Sequence, residues 1–244
     1  MLEIGPGPGG LSRALLARGC RLWAIERDGR CTAALAPLVE AAAGRLVLIE
    51  ADALRVDIEE LARDQGVATP WAIVANLPYN IGTELLLRWL HRLDAVASLH
   101  VMLQKEVALR LAAEPGTAEW GRLAVVAQSL TRVRRVFDIP PGAFHPPPKV
   151  TSSLVELIPR PAAERPTKDR LQALEQVARV AFGQRRKMLR ASLKGLVAEP
   201  QALLEAAGIA ADRRPETLDL TELDRLAATW QRLRACPRSF RGVS

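Results

Sequence analysis

Apolar residues in the first two thirds of the chain form short, nearly continuous runs that alternate with segments of helical periodicity. The runs predict five strands, at residues 1–5, 21–26, 45–51, 71–75 and 95–103. Helical patterns lie between them, for example at residues 11–18 and 32–43. Because strands rich in Val, Ile, Leu and Ala are typically covered on both faces, this order predicts an α/β fold with a parallel, doubly wound sheet.

The pattern changes after the fifth predicted strand. Residues 121–130 predict a helix, and residues 133–139 and 150–158 predict two late strands around a proline-rich turn. Three prolines between positions 159 and 166 then indicate a boundary. The remaining pattern predicts only helices, at residues 168–182, 186–196, 201–207 and 220–234. We therefore expect an α/β domain over residues 1–158 and a small all-helical domain over residues 159–244.

The 244-residue chain carries a net charge of +7, and the whole excess lies in its last third. Residues 1–158 hold 17 Lys or Arg and 17 Asp or Glu, whereas residues 159–244 hold 17 and 10. Such asymmetry is typical of a module that binds a polyanion such as RNA, joined to a near-neutral body. A solvated, arginine-rich surface is the alternative, and charge alone does not choose between the two.

Cysteine and histidine are scarce and scattered. The three cysteines, Cys20, Cys31 and Cys236, form no CxxC pair, which argues against a disulfide framework and against a zinc site. No apolar run reaches the roughly 18 residues that a membrane span needs. No basic segment followed by an apolar stretch predicts a secretory signal. We expect a cytoplasmic protein without a metal or a membrane partner.

A glycine-rich loop joins the first predicted strand to the first predicted helix. Its sequence is LEIGPGPGG, in which Gly5, Gly7 and Gly10 match the dinucleotide pattern GxGxxG. A pyrophosphate, however, is held by backbone N–H groups, and Pro6 and Pro8 have none. The loop therefore favours S-adenosylmethionine, which has no phosphate, over NAD. An NAD-dependent oxidoreductase also lacks support because no hydride-transfer constellation is recognisable.

Three acidic residues stand at the ends of successive predicted strands, at the edge of the sheet where ligands of such folds bind. Glu3 precedes the glycine loop and suits a cationic amino-acid moiety. Glu26 can accept hydrogen bonds from both ribose hydroxyls, and Asp52 can accept one from the adenine amine of the cofactor. Each acid alone is typical of a helix cap, but three of them behind a glycine loop predict a cofactor site.

The tetrapeptide Asn76-Leu77-Pro78-Tyr79 follows the fourth predicted strand and is the most specific motif in the chain. The exocyclic nitrogen of adenine attacks poorly because its lone pair is delocalised into the ring. The Asn76 side-chain oxygen and the Leu77 carbonyl can each accept one of its N–H groups and so free the lone pair for attack on a sulfonium methyl group. Pro78 stiffens the turn, and Tyr79 offers a stacking face for a base. The alternative is an ordinary proline turn.

Two further groups can contact a nucleic acid. Phe144, in the proline-rich turn, can stack on the other face of the target base, and Lys149 can meet a phosphate. A packed phenylalanine is the alternative for Phe144.

A basic cluster begins the predicted helix at residues 186–196, and its members are Arg185, Arg186, Lys187 and Arg190. Helical spacing would place Arg186 and Arg190 on one face. Because positive charge at a helix N-terminus is unfavourable, phosphate binding explains the cluster better than stability does.

These segments together resemble the small-subunit ribosomal RNA adenine N6,N6-dimethyltransferases. The resemblance covers nearly the whole chain and rests on the segments EIGPGPGG, NLPYNIGT, MLQKEVALRL, GRLAVVAQ, FHPPPKVTSS, AFGQRRKMLRASL and RPETLDLTEL. It implies a Rossmann-like, S-adenosylmethionine-dependent methyltransferase domain with a small helical RNA-binding domain. It also implies dimethylation of two adjacent adenines in a terminal hairpin of small-subunit RNA during ribosome assembly. We expect a monomer.

The resemblance implies roles for residues that match the family's motifs. Gly5, Glu26, Asp52 and Asn76 would contact S-adenosylmethionine. Asn76, Leu77 and Tyr79 would hold the target adenines, with Phe144 assisting. Members of the family carry a segment with a Gln-Asn-Phe-Leu-type motif before the glycine loop, and a chain without it is expected to bind the cofactor more weakly.

Two alternatives share much of this chemistry. The first is the large-subunit RNA adenine methyltransferase of the macrolide-resistance type. The Ile-Gly-Thr after NLPYN and the QRRK segment favour the small-subunit enzyme over this alternative. The second is a non-enzymatic RNA-binding assembly factor on the same scaffold, against which the intact tetrapeptide speaks.

Overall fold

The computed structural model describes residues 1–77, 81–144 and 146–235. In this part of the chain, seven strands form one mixed sheet: β1 (Leu2–Ile4), β2 (Leu22–Glu26), β3 (Leu46–Glu50), β4 (Trp71–Asn76), β5 (Val96–Gln104), β6 (Thr131–Ile139) and β7 (Ser152–Pro159). The ten α-helices of the same part are α1 (Gly10–Ala17), α2 (Gly29–Ala41), α3 (Ile58–Asp64), α4 (Gly82–Leu90), α5 (Lys105–Leu111), α6 (Arg122–Leu130), α7 (Lys168–Gly183), α8 (Leu189–Ser192), α9 (Pro200–Ala206) and α10 (Leu220–Ala235). Each predicted strand is present.

The strands lie in the order β3-β2-β1-β4-β5-β7-β6. Strands β1 to β5 run parallel, as predicted, and β7 is antiparallel to β5. Ile4 of β1 lies opposite Ile25 of β2 and Ala75 of β4. Because the chain leaves β1 for β2 on one side and returns to β4 on the other, the strand order reverses at β1. Ligands of doubly wound sheets bind at the carboxyl ends of the strands beside such a reversal.

The chain divides into two compact units. The first contains residues 1–108 and 132–159, and the second contains residues 109–131 and 160–244. Residues 109–131 therefore group with the helical unit, whereas a single boundary at residue 159 was expected. The reason is that Trp120 and its apolar neighbours pack in the same core as α7 and α10. The Trp120 Nε1 also donates to the Leu218 carbonyl at 2.9 Å.

The prediction of one helix over residues 186–196 is wrong. Residues 184–187 form a turn and a bend, α8 spans only Leu189–Ser192, and a 3₁₀ turn follows at Leu193–Gly195. The backbone N–H groups of Leu189 and Arg190 donate to the carbonyls of Arg213 and Ala211, at 2.8 and 3.1 Å. Since these N–H groups pair with another loop, the helix cannot extend back to Arg186.

The residue before α1 is expected to tolerate no side chain. Gly9 has φ 88°, and a Cβ there would lie 2.6 Å from Cδ2 of the buried Leu35. Gly44 has a similar φ of 80°, but a Cβ there would meet nothing within 4 Å. Gly44→Ala should lower the free energy of unfolding by about 1–2 kcal/mol, because alanine is disfavoured in the left-handed conformation. Gly9→Ala should cost about 1–3 kcal/mol more through overpacking. Urea unfolding measures both losses of stability, and equal losses would contradict close packing of the loop on α2.

Candidate active site

The glycine loop turns at the carboxyl end of β1. Gly5 and Gly7 have φ 66° and 54°, in the left-handed region that favours glycine. The Gly5 N–H donates to the Ile25 carbonyl at 2.9 Å, and a Cβ on Gly5 would lie 3.8 Å from the Asn76 carbonyl oxygen. A Cβ on Gly7 would meet nothing within 4 Å. The loop thus lies beside Asn76 and leaves open space at Gly7, which fits close approach of a cofactor.

Glu26 ends β2 and holds the glycine loop. Its Oε2 accepts the Gly7 N–H at 3.0 Å, and its Oε1 accepts those of Arg27 and Asp28 at 2.7 and 2.9 Å. A carboxylate has about four acceptor positions, so one remains for a ribose hydroxyl. Accepting both hydroxyls, as predicted from the sequence, requires one backbone N–H group to move.

Asp52 lies two residues beyond β3, at the same edge of the sheet. Its Oδ1 accepts the Leu54 N–H at 3.0 Å, and its Oδ2 lies 3.7 Å from Nη1 of Arg27. The Ala51 N–H donates to the Glu26 carbonyl at 2.9 Å, which ties the two acidic segments together. Asp52 therefore keeps acceptor capacity for an amine beside Glu26.

Glu3 occupies a different place from the one expected for a direct cofactor ligand. Its side chain is only 1% exposed, and Oε2 accepts a hydrogen bond from Ser12 Oγ at 2.7 Å. Burial raises the pKa of the Glu3 carboxyl, and the Ser12 hydrogen bond opposes that shift. Glu3 supports the first turn of α1 beneath the glycine loop.

Asn76 is the last residue of β4 and is exposed, whereas the three residues before it are buried. It lies opposite Met102 of β5. Leu77 is 1% exposed, and its N–H donates to the Met102 carbonyl at 3.4 Å. The buried Leu77 side chain anchors the start of the tetrapeptide and leaves the Asn76 amide at the surface. Pro78 and Tyr79, the other members, lie outside the described residues.

Gly82, the first residue of α4, is a supporting position that sequence reasoning missed. A Cβ on Gly82 would lie 3.2 Å from Leu77 Cβ and 3.2 Å from Leu103 Cδ2. A glycine therefore lets α4 begin directly against Leu77. The available signal was a glycine six positions after Asn76 in the segment NLPYNIGT.

The turn between β6 and β7 carries Phe144 and Lys149. Phe144 is half-buried, and its N–H donates to the Pro141 carbonyl at 3.1 Å. Lys149 is exposed. Their predicted contacts with a base and a phosphate stay predictions.

The four members of the basic cluster differ in their contacts and exposure. Arg185 donates from Nη1 to the Ala118 carbonyl at 2.7 Å and from Nη2 to the Trp120 carbonyl at 3.4 Å. Its guanidinium thus closes a loop within the helical unit, which the sequence did not predict. Arg186, Lys187 and Arg190 are exposed, and the first two lie in the turn before α8.

Neither a metal centre nor a membrane span is found in the described part of the chain. No group of three or more His, Cys, Asp or Glu residues there could hold a metal ion. No helix there is long and apolar enough to cross a bilayer.

Two of the solved structures with a similar fold superpose over nearly the whole chain. The dimethyladenosine transferase from Plasmodium falciparum superposes with a TM-score of 0.78 at 23% identity, covering 95% of this chain and 89% of that one. The 23S rRNA methyltransferase ErmE superposes with a TM-score of 0.69 at 24% identity, covering 94% and 90%. These likenesses confirm the Rossmann-like methyltransferase fold with a helical C-terminal part.

Sequence relatives are more similar. The ribosomal RNA small subunit methyltransferase A of Mesorhizobium japonicum is 53% identical over 231 residues, which cover 93% of this chain and 81% of that protein. The protein of the same name from Xanthobacter autotrophicus is 50% identical over 240 residues, covering 96% and 81%. A family model described as ribosomal RNA adenine dimethylase matches residues 1–227. The chain therefore belongs to the ribosomal RNA adenine dimethylase family.

Proposed function

We propose that this chain uses S-adenosylmethionine to dimethylate the exocyclic amines of two adjacent adenines in a terminal hairpin of small-subunit ribosomal RNA. The main support is that the glycine loop, Asn76 and the two acids Glu26 and Asp52 lie at the same edge of the sheet. Relatives that are about half identical to the chain and carry the name small subunit methyltransferase support the choice of RNA.

The residues at this edge divide the chemistry among them. Glu26 and Asp52 would hold the ribose and adenine of the cofactor, which would supply an activated methyl group. The Asn76 side-chain oxygen accepts one N–H of the target amine, and the Leu77 carbonyl accepts the other. Held in this way, the nitrogen lone pair would face the methyl group that the cofactor would supply, and the methylated nitrogen would lose a proton to water. A second transfer gives the dimethylated product; the monomethylated amine has one N–H left, so only one of the two acceptors would hold it.

The helical unit is proposed to bind RNA. Arg186, Lys187 and Arg190 are exposed, and Lys149 is exposed on the α/β unit. Guanidinium and ammonium groups bind phosphates without regard to sequence, so these four side chains would hold the RNA backbone. We also propose that the chain acts in the cytoplasm, as a monomer, on an immature small subunit.

The two alternatives are less well supported. Likeness to ErmE shows the fold alone, whereas the relatives with about 50% identity carry small-subunit names. A non-enzymatic factor would not need an exposed Asn76 amide beside an open glycine loop.

Incubation of the chain with labelled S-adenosylmethionine and separately purified immature small and large subunits tests the choice of substrate. Label should enter the RNA of the small subunit alone. Label in the large subunit alone would favour the macrolide-resistance type. Cofactor binding without transfer to either subunit would favour the assembly factor.

Glu26→Gln should weaken S-adenosylmethionine binding by about 10- to 100-fold, because a charge-assisted hydrogen bond is worth roughly 1.5–3 kcal/mol. The substitution also sets an amide NH₂ against a backbone N–H group of the loop. Glu40→Gln makes the same chemical change on an exposed face of α2 and should leave affinity unchanged. Calorimetric titration of both variants decides, and wild-type affinity in Glu26→Gln would remove Glu26 from the site.

A further inference from the structure

Three side chains converge on one carboxylate at the base of the turn that carries Phe144. Asp138 Oδ1 accepts hydrogen bonds from Ser153 Oγ at 2.7 Å and Arg135 Nη1 at 2.6 Å, and Oδ2 lies 2.8 Å from Lys105 Nζ. We call these four residues the Asp138 cluster. Asp138 is the penultimate residue of β6, and Ser153 is the second residue of β7. Their hydrogen bond therefore closes the two ends of the turn over residues 140–151.

Lys105 connects the same turn to the strand beside Asn76. Besides its contact with Asp138, its backbone N–H donates to the Thr151 carbonyl at 2.9 Å. Lys105 directly follows β5, whose Met102 lies opposite Asn76. Both ends of the turn are thus attached to one residue, three positions beyond the partner of Asn76.

The Asp138 carboxyl is ionised at neutral pH. Hydrogen bonds from Lys105, Ser153 and Arg135 hold the pKa of the Asp138 carboxyl far below its ordinary value. Ser153 is fully buried, so its hydroxyl has a fixed direction. Because exposed ion pairs add little to stability, the convergence of two cations and a buried hydroxyl on this acid suggests a positional role.

We propose that the Asp138 cluster is a positioning device that sets the separation between Phe144 and Asn76. This inference rests on the proposed function, in which Phe144 stacks on the base whose amine Asn76 holds. The cluster touches neither base nor cofactor. It acts by holding the turn, so that the stacked base presents its amine at reacting distance, where small displacements cost large factors in rate.

Two disruptive variants, one restoring variant and one matched control test the positioning role of the Asp138 cluster. Asp138→Asn keeps an acceptor for Ser153 but removes the charge that faces Lys105 and Arg135. Lys105→Met removes the ion pair with Asp138 but keeps the backbone hydrogen bond to the Thr151 carbonyl. Lys105→Arg restores the positive charge that faces Asp138. Glu156→Gln is the control, since Glu156 on β7 accepts from Arg134 Nε at 2.9 Å and does not flank the turn.

Amide hydrogen exchange over residues 142–151 and steady-state methylation of small subunits are the readouts. Asp138→Asn and Lys105→Met should each speed exchange about tenfold and lower kcat about tenfold, with KM for the subunit and cofactor affinity unchanged. The double variant should lose no more activity than either single one. Lys105→Arg should recover kcat, and Glu156→Gln should resemble the wild type.

Unchanged exchange in Asp138→Asn would overturn the attachment of the turn. Faster exchange with unchanged kcat would overturn the positioning role. A wild-type chain that methylates no subunit would instead contradict the proposed function, and exchange would still decide whether the cluster holds the turn.

Discussion

Asn76→Ala is expected to lower the rate of methyl transfer by about 10²–10³-fold, the usual cost of removing one preorganised hydrogen bond at a reacting centre. The Asn76 side chain is exposed at the end of β4, so its truncation leaves no cavity in the core. Stability should therefore stay near that of the wild type. Single-turnover kinetics with saturating cofactor and small subunits measure the change without contributions from binding.

Asn76→Asp supplies the matched control for this prediction. Aspartate keeps an acceptor oxygen at nearly the same position, so this variant should retain much more activity than Asn76→Ala. Near-wild-type turnover by Asn76→Ala, with normal RNA binding, would contradict the amine-holding role. Equal decreases in both variants would show that the side-chain NH₂ group matters more than the oxygen.

Neutralising the three exposed members of the basic cluster should weaken RNA binding whatever the RNA sequence. The triple variant Arg186→Gln, Lys187→Gln and Arg190→Gln removes up to three ionic interactions with phosphates. The slope of log affinity against log salt should fall by about 0.7–0.9 for each phosphate that is no longer neutralised, and affinity at low salt by roughly 10- to 1000-fold. Binding of a small-subunit RNA hairpin between low and high salt measures the slope, and cofactor affinity should not change.

Arg185→Gln is the control for this experiment, because Arg185 already donates to the Ala118 and Trp120 carbonyls. It should lower the free energy of unfolding by about 1 kcal/mol and leave the salt slope unchanged. Equal salt slopes for the wild type and the triple variant would refute the RNA-binding role. A reduced salt slope in Arg185→Gln would show that Arg185 also binds RNA.

The sheet and its ligand edge could be predicted because local sequence decides both. Strands covered on both faces are almost wholly apolar, so the runs around Ile4, Ile25 and Ile73 stand out. Parallel strands bring their carboxyl ends to one edge, so residues that follow the strands, such as Glu26 and Asp52, must lie together. In the structure, Glu26 accepts the Gly7 N–H, Asp52 lies 3.7 Å from Arg27, and Gly5 lies beside the Asn76 carbonyl.

Features that depend on distant partners could not be predicted. The buried Glu3 carboxyl accepts a hydrogen bond from Ser12, and no sequence pattern predicts this pairing. Arg185 looks like its basic neighbours in sequence, and only the fold shows that its guanidinium reaches Ala118, 67 positions away. The helix expected at residues 186–196 is shortened because Leu189 and Arg190 donate to a loop about twenty residues later, a long-range preference that overrides local propensity.

The Phe144 turn shows the same limit. Its prolines made a rigid turn predictable, but the attachment to Lys105 runs across the sheet from β5. Asp138 on β6, Ser153 on β7 and Lys105 after β5 must all be in place before that attachment exists. The sequence therefore predicted that Phe144 lies in a proline-rich turn, but it did not predict the contacts that attach this turn to Lys105.

Mass spectrometry of the nucleosides identifies the methylated product directly. Immature small subunits are incubated with S-adenosylmethionine and either the wild-type chain or Asn76→Ala, and the RNA is then digested and mapped. We expect N6,N6-dimethyladenosine at two adjacent positions of one terminal hairpin with the wild type, and little or none with Asn76→Ala. Methylation at another atom, at scattered adenines, or to the same extent with Asn76→Ala would contradict it.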